Sequence, residues 1–122
     1  MSDQVPAAYP KLLVTDPDRT VRFYMNLGFT LVHRDPLFAH LRWAPRADLY
    51  LVSTPAGLTL EGRRGVGIIL CFDARDHRLE EFALIAQAAG ASIDGPRDTP
   101  WHTRELMLAD PEGYRLSFVV PG

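Results

Sequence analysis

Apolar and polar positions along the chain switch between two periods, and the switches mark its elements. Residues 9–15 (YPKLLVT) are strand-forming, and Asp16 followed by Pro17 supplies an N-cap and a proline at the first helical position, so a helix is predicted to begin there. Val21, Tyr24 and Met25 recur on one face of that helix, and Gly28 stands after Leu27 where a left-handed cap ends it. Strands are predicted over 30–33, 38–43 and 49–53, separated by the turn-like RDP and APRAD. After STPAGLTLEGRRG the order returns. It gives a strand over 66–72, a longer helix from about Asp76 to Ala89 with Leu79, Phe82, Ala83 and Ala86 on one face, and Gly90 as its stop. A short strand near Ser92, another over 105–108, the turn ADPEG and a last strand over 115–120 complete it.

The pattern therefore reads as one α+β domain over 1–122, made of two tandem βαβββ modules at 8–57 and 66–121 joined by a connection at 58–65. LYLVSTPAG and LSFVVPG close the two halves, each after an Ala/Pro/Asp turn, which reads as a duplication. The expected product is a curved mixed sheet with a concave groove and helices on its outer face.

Alternation divides each strand into two phases. Leu12, Val14, Leu41, Trp43, Leu49 and Leu51 in the first half suit the helix-covered face, as do Ile68, Leu70, Phe72, Leu106, Leu108, Leu116, Phe118 and Val120 in the second. The opposite phase mixes rings, charges and small groups: Tyr9, Lys11, Phe38, His40, Arg42 and Tyr50, then Gly67, Ile69, Cys71, Glu105, Met107, Arg115, Ser117 and Val119. Apolar walls with a few directed polar groups suit a small-molecule site; the alternative is a solvated or dimer-facing sheet surface.

Composition narrows the classes. A chain of 122 residues, 47% hydrophobic and 23% charged, is long enough to bury roughly two thirds of its unfolded surface. A net charge of -2 with scattered arginines leaves no basic stripe for nucleic acid. The longest apolar run, 66–72, falls far short of the ~20 residues that span a bilayer, and MSDQVPAAYP lacks the regions of a signal peptide, so a cytoplasmic protein with no membrane partner is expected. A single cysteine, Cys71, allows neither an internal disulfide nor paired zinc thiolates.

LLVTDPDRTVRFYMNLGFTL resembles the opening strand and helix of the vicinal oxygen chelate superfamily, the glyoxalase/bleomycin-resistance/dioxygenase fold, and ELMLADPEGYRLSFV resembles its closing hairpin. Tyr9-Pro10, LFAHLRW and TPWHTREL give the likeness its bleomycin-resistance character. The resemblance implies a homodimer, with possible exchange of the N-terminal strand about Pro10, and a ligand groove; an ordinary proline at the start of a strand is the alternative for Pro10. It places the family's four metal-ligand positions at Tyr9, Tyr50, Gly67 and Ser117, none a strong ligand for a divalent ion, so no metal and no other cofactor are expected. His40 and Glu105 alone make too small a metal set, and His33, His77 and His102 read as surface or loop residues.

The expected role is metal-free binding or sequestration of a planar aromatic compound, such as an antibiotic or metabolite, with no catalytic residue. The candidate ligand contacts in the first half are Phe38, His40, Arg42 and Tyr50. Those in the second half are Ile69, Trp101, His102, Glu105, Met107, Arg115 and Ser117, where Trp101 and Phe38 match drug-contacting positions of the resistance proteins and packing at a dimer edge is the alternative for Trp101. Lys11, Arg42 and Arg115 favour a neutral or anionic ligand over a cationic one. The competing readings are a lyase, isomerase or dioxygenase of the same superfamily, with an unorthodox metal set or with His40 and Glu105 as acid and base, and a dimer whose groove is vestigial.

Overall fold

The computed structural model describes residues 8–122, so MSDQVPA, the start of the stretch read for a targeting signal, lies outside the described residues. The chain divides into two compact units, residues 1–60 and 61–122. The first contains β1 (Lys11–Val14), α1 (Pro17–Leu27), β2 (Thr30–Asp35), β3 (Phe38–Ala44) and β4 (Ala47–Ser53). The second repeats the order as β5 (Leu70–Asp73), α2 (Leu79–Ala88), β6 (Ser92–Asp98), β7 (Thr103–Ala109) and β8 (Arg115–Pro121). Each unit builds a four-stranded mixed sheet, ordered β1-β4-β3-β2 and β5-β8-β7-β6. The opening strand pairs in parallel with the closing strand, and the other pairs are antiparallel. This is the α+β, doubled βαβββ architecture expected from the pattern. Among the described residues no helix is long and apolar enough to cross a membrane.

Local chemistry accounts for the ends of α1. Asp16 accepts a hydrogen bond from the Arg19 N–H at 3.2 Å and Pro17 occupies the first turn, where no N–H is needed. Gly28, at φ 114°, closes the helix by donating its N–H to Met25 and Tyr24 carbonyls, a conformation that penalises any residue with a Cβ. The buried stripe is Thr20, Val21, Phe23, Tyr24 and Leu27. Met25, expected inside, is 46% exposed, because at 100° per residue it lies farther round the helix than Thr20, Tyr24 and Leu27. Under α1 lie Leu12, Val14, Ala39, Leu41, Leu49 and Leu51, all buried. Phe29 completes this core edge-on to Tyr24 at 5.1 Å.

In the second unit Phe72, Leu106, Leu108, Leu116 and Phe118 form the buried phase, with Leu79, Phe82, Ala83 and Ala86 of α2 as the pattern required. Several boundaries differ from expectation. The opening strand begins at Leu70 rather than residue 66: Ile68 donates its N–H to the Gly65 carbonyl in a turn, which leaves Ile68 60% exposed and Ile69 outside the strand. Trp43, Leu70 and Val120, assigned to the core, are half-buried. α2 begins at Leu79, since Asp73 accepts the Arg75 N–H and His77 donates to the Ala74 carbonyl in a separate turn; the second helix is one turn shorter than expected and not the longer of the two. The short strand expected near Ser92 extends through GPRD to Asp98 as β6. A bulge between Asp94 and Arg97 admits Gly95 at φ 103°, where a Cβ would lie 2.9 Å from the Glu105 carbonyl oxygen.

Candidate functional site

The face of the first sheet turned away from α1 is assembled by register. Lys11 and His40 both lie opposite Tyr50, and His33 lies opposite His40, so these residues form one row across the sheet. Tyr50 is the hub: its ring stacks on His40 at 4.3 Å and 21°, and meets Tyr9 at 4.4 Å and Phe38 at 5.2 Å. Offset and tilted ring contacts at these separations are favourable beyond the area they bury. Burial, followed by the nearby Asp48 charge, pushes the Tyr50 phenol above its ordinary range, so it stands there as a neutral donor and acceptor.

Next along the hairpin Arg42 faces Asp48. Its Nε donates to Asp48 Oδ1 at 2.6 Å and a second donor reaches Oδ2 at 3.3 Å, a bidentate grip on a carboxylate whose side chain is 2% exposed. His40 Nε2 lies 3.4 Å from the same carboxylate without hydrogen-bond geometry. The hydrogen bond from Arg42 holds the Asp48 carboxyl below the usual range, against the burial that would raise it. Asp48 was not among the expected site residues because it fell in the APRAD turn; its place opposite an arginine across a tight hairpin was the available signal. Arg42, expected to attract a ligand anion, already has one.

The equivalent face of the second sheet has different chemistry. Glu105 gathers hydrogen bonds from Thr103 Oγ1 at 2.8 Å and Trp101 Nε1 at 3.2 Å on one oxygen, and from Ser117 Oγ at 3.2 Å on the other. Trp101 is 65% exposed in the turn before β7, and His102 beside it has φ 68°. Met107 lies opposite Ser117, as does Cys71 on the other side. Burial, and then the Glu105 charge, pushes the Cys71 thiol up. Cys71, Asp73, Arg75, His102 and Thr103 line an open hollow of about 440 Å³. Ile69 and Arg115 lie apart from that hollow, beside the loop that precedes β5. Thus Phe38, His40, Arg42 and Tyr50 come together in the first unit, and Trp101, Glu105 and Ser117 come together in the second.

The four positions matched to metal ligands do not fit a divalent ion. Tyr50 is a neutral phenol packed against Tyr9, Gly67 offers no side chain, and the Ser117 hydroxyl donates to Glu105. Among the described residues no three His, Cys, Asp or Glu side chains gather as a metal set.

Residues 7–118 match the Glyoxalase/Bleomycin resistance protein/Dioxygenase superfamily, and the chain belongs to that family. A bleomycin-binding protein solved in complex with bleomycin is 25% identical, with a TM-score of 0.71, covering 97% of this chain and 100% of that one. An antibiotic-binding protein from Streptomyces sp. CB03234 is 23% identical with a TM-score of 0.71 and full coverage of both chains (100% each). A family enzyme from Burkholderia phytofirmans PsJN shares the fold at 20% identity and a TM-score of 0.79, covering 97% of this chain and 100% of that one. No curated protein matches the chain. Members of this superfamily bind small molecules, bleomycin among them.

Proposed function

We propose that the protein is a metal-free binding protein for a planar aromatic compound, held on the open face of the first sheet. The observation that carries this reading is the cluster of Tyr9, Phe38 and His40 around Tyr50, rings placed on a sheet face rather than in the helix-covered core. A flat ligand gains stacking with such rings, while the Tyr50 hydroxyl and the His40 imidazole supply orientation. The bidentate pairing of Arg42 with Asp48 cancels the charge at one end of the face, which favours a neutral ligand over a strongly charged one. The bleomycin-binding relative supports a binding role without fixing the ligand.

Native mass spectrometry of the purified protein, followed by titration with 2-naphthol and 2-naphthoate, tests the proposal. A metal-free spectrum is expected, together with a rise in Tm on adding 2-naphthol and a loss of affinity of about three- to tenfold in Tyr50→Ala, the value of one aromatic pair. One stoichiometric divalent ion per subunit, or no response to either compound, overturns it. The same spectrum reads whether the protein is the homodimer that the resemblance implies.

A further inference from the structure

We infer a second binding site, for a small oxyanion, in the loop that leads into β5. The arginines of the second unit fall into two groups. Arg75, Arg78, Arg97 and Arg104 each meet a carboxylate: Asp73, Glu81, Asp94 and Glu80 respectively. The others, Arg63, Arg64 and Arg115, form no ion pair among the described residues, and all of them line one pocket of about 130 Å³. Unpaired cations repel one another, so their convergence on one small space is unfavourable until an anion enters it.

The pocket's construction suits that anion. Arg64 is tethered by its Nη1 donating to the Gly62 carbonyl at 3.0 Å, yet its Nε is shielded from solvent and has no acceptor among the described residues. A shielded guanidinium donor without a partner is costly, and an oxyanion is the partner that matches its charge. Gly65, Gly67 and Gly113 complete much of the wall, at φ 59°, 86° and 98°. Without side chains they let a ligand approach the backbone closely. Repetition sharpens the case: Arg42 of the first unit faces Asp48 across its hairpin, whereas Arg115 faces Ala109. Arg115 thus stands at the place of Asp48, and the second hairpin has a cation, with no charged residue opposite, where the first has the carboxylate of an ion pair. The volume suits one phosphate-sized group rather than a drug-sized ligand, which takes roughly 300–1,000 Å³.

Inorganic phosphate, titrated against chloride at matched ionic strength, tests the site through Tm and through the amide signals of Gly65 and Gly67. We expect phosphate to raise Tm and move those signals. Arg115→Gln, at an exposed position, should weaken phosphate about tenfold without lowering Tm in chloride, since it removes one of the mutually repelling cations. Arg63→Gln, also exposed, gives an independent second variant. Phenyl phosphate in a parallel arm separates a site for the free ion, which rejects the ester, from one for the end of a larger molecule, which accepts it; binding of either through these arginines supports the site. Equal stabilisation by chloride and phosphate, or phosphate binding unchanged in both variants, overturns it.

Discussion

The two units share one topology and one arrangement of register, but their open faces carry different chemistry. Position for position, Phe38, His40 and Tyr50 of the first sheet correspond to Glu105, Met107 and Ser117 of the second, and the Arg42–Asp48 pair corresponds to Ala109 and Arg115. The helix-facing positions Leu41, Leu49 and Leu51 correspond to Leu108, Leu116 and Phe118, apolar and buried in both halves. Packing under a helix tolerates no unpaired polar group, so both halves hold apolar residues there. A sheet face without a helix is not held to that limit, and chemistry can change there while the fold stays.

Removal of equivalent core residues should have the largest effect, and a similar one in both units. Leu49→Ala and Leu116→Ala each delete a fully buried side chain, and each is expected to cost about 3 kcal/mol in urea unfolding. A cost confined to one variant would mean that the two cores do not carry equal weight.

A smaller effect is expected where the faces differ. Asp48→Asn leaves Arg42 without its partner and should cost about 2 kcal/mol, below the usual range for breaking a buried pair because the Arg42 side chain is 41% exposed to screening solvent. The pH dependence has a definite sign. The folded Asp48 carboxyl is held below its unfolded value, so its contribution is fully present above the ordinary carboxylate range near pH ~4 and is lost as pH falls through the folded value. Urea titrations at descending pH should therefore show a shallower acid loss in Asp48→Asn than in the parent. Equal acid slopes would remove the pair from the stability of the first unit.

The smallest effect concerns the second face. Although Cys71 is exposed, its thiol is pushed up by burial and by Glu105, so iodoacetamide at mildly alkaline pH should modify it more slowly than a free cysteine. Glu105→Gln should quicken that reaction; no change would show that burial alone controls the thiol.

The period of the apolar residues and the two helix stops at Gly28 and Gly90 were enough to lay out both βαβββ units, because a strand or helix that must bury one face repeats its apolar residues at a fixed spacing. The N-cap at Asp16 and the buried face of α2 were legible for the same local reason. Boundaries failed where a hydrogen bond set by conformation overrode apolar character, as in the Gly65–Ile68 turn, or where a bulge carried Gly95 and Pro96 into β6. Most of the candidate site was legible as a list of residues on one strand phase, while Trp101 and His102 came from the loop of the TPWHTREL motif. Its partnerships depended on cross-strand register: Asp48 captured Arg42, Tyr50 drew three rings together, and Glu105 gathered Thr103, Trp101 and Ser117. By itself, then, the sequence determined which side of each strand is apolar, because alternation is a property of neighbouring residues. Which charges are neutralised and which, like Arg115, have no ion pair among the described residues follows from the tertiary structure, because an ion pair depends on distances between residues that the chain alone leaves far apart.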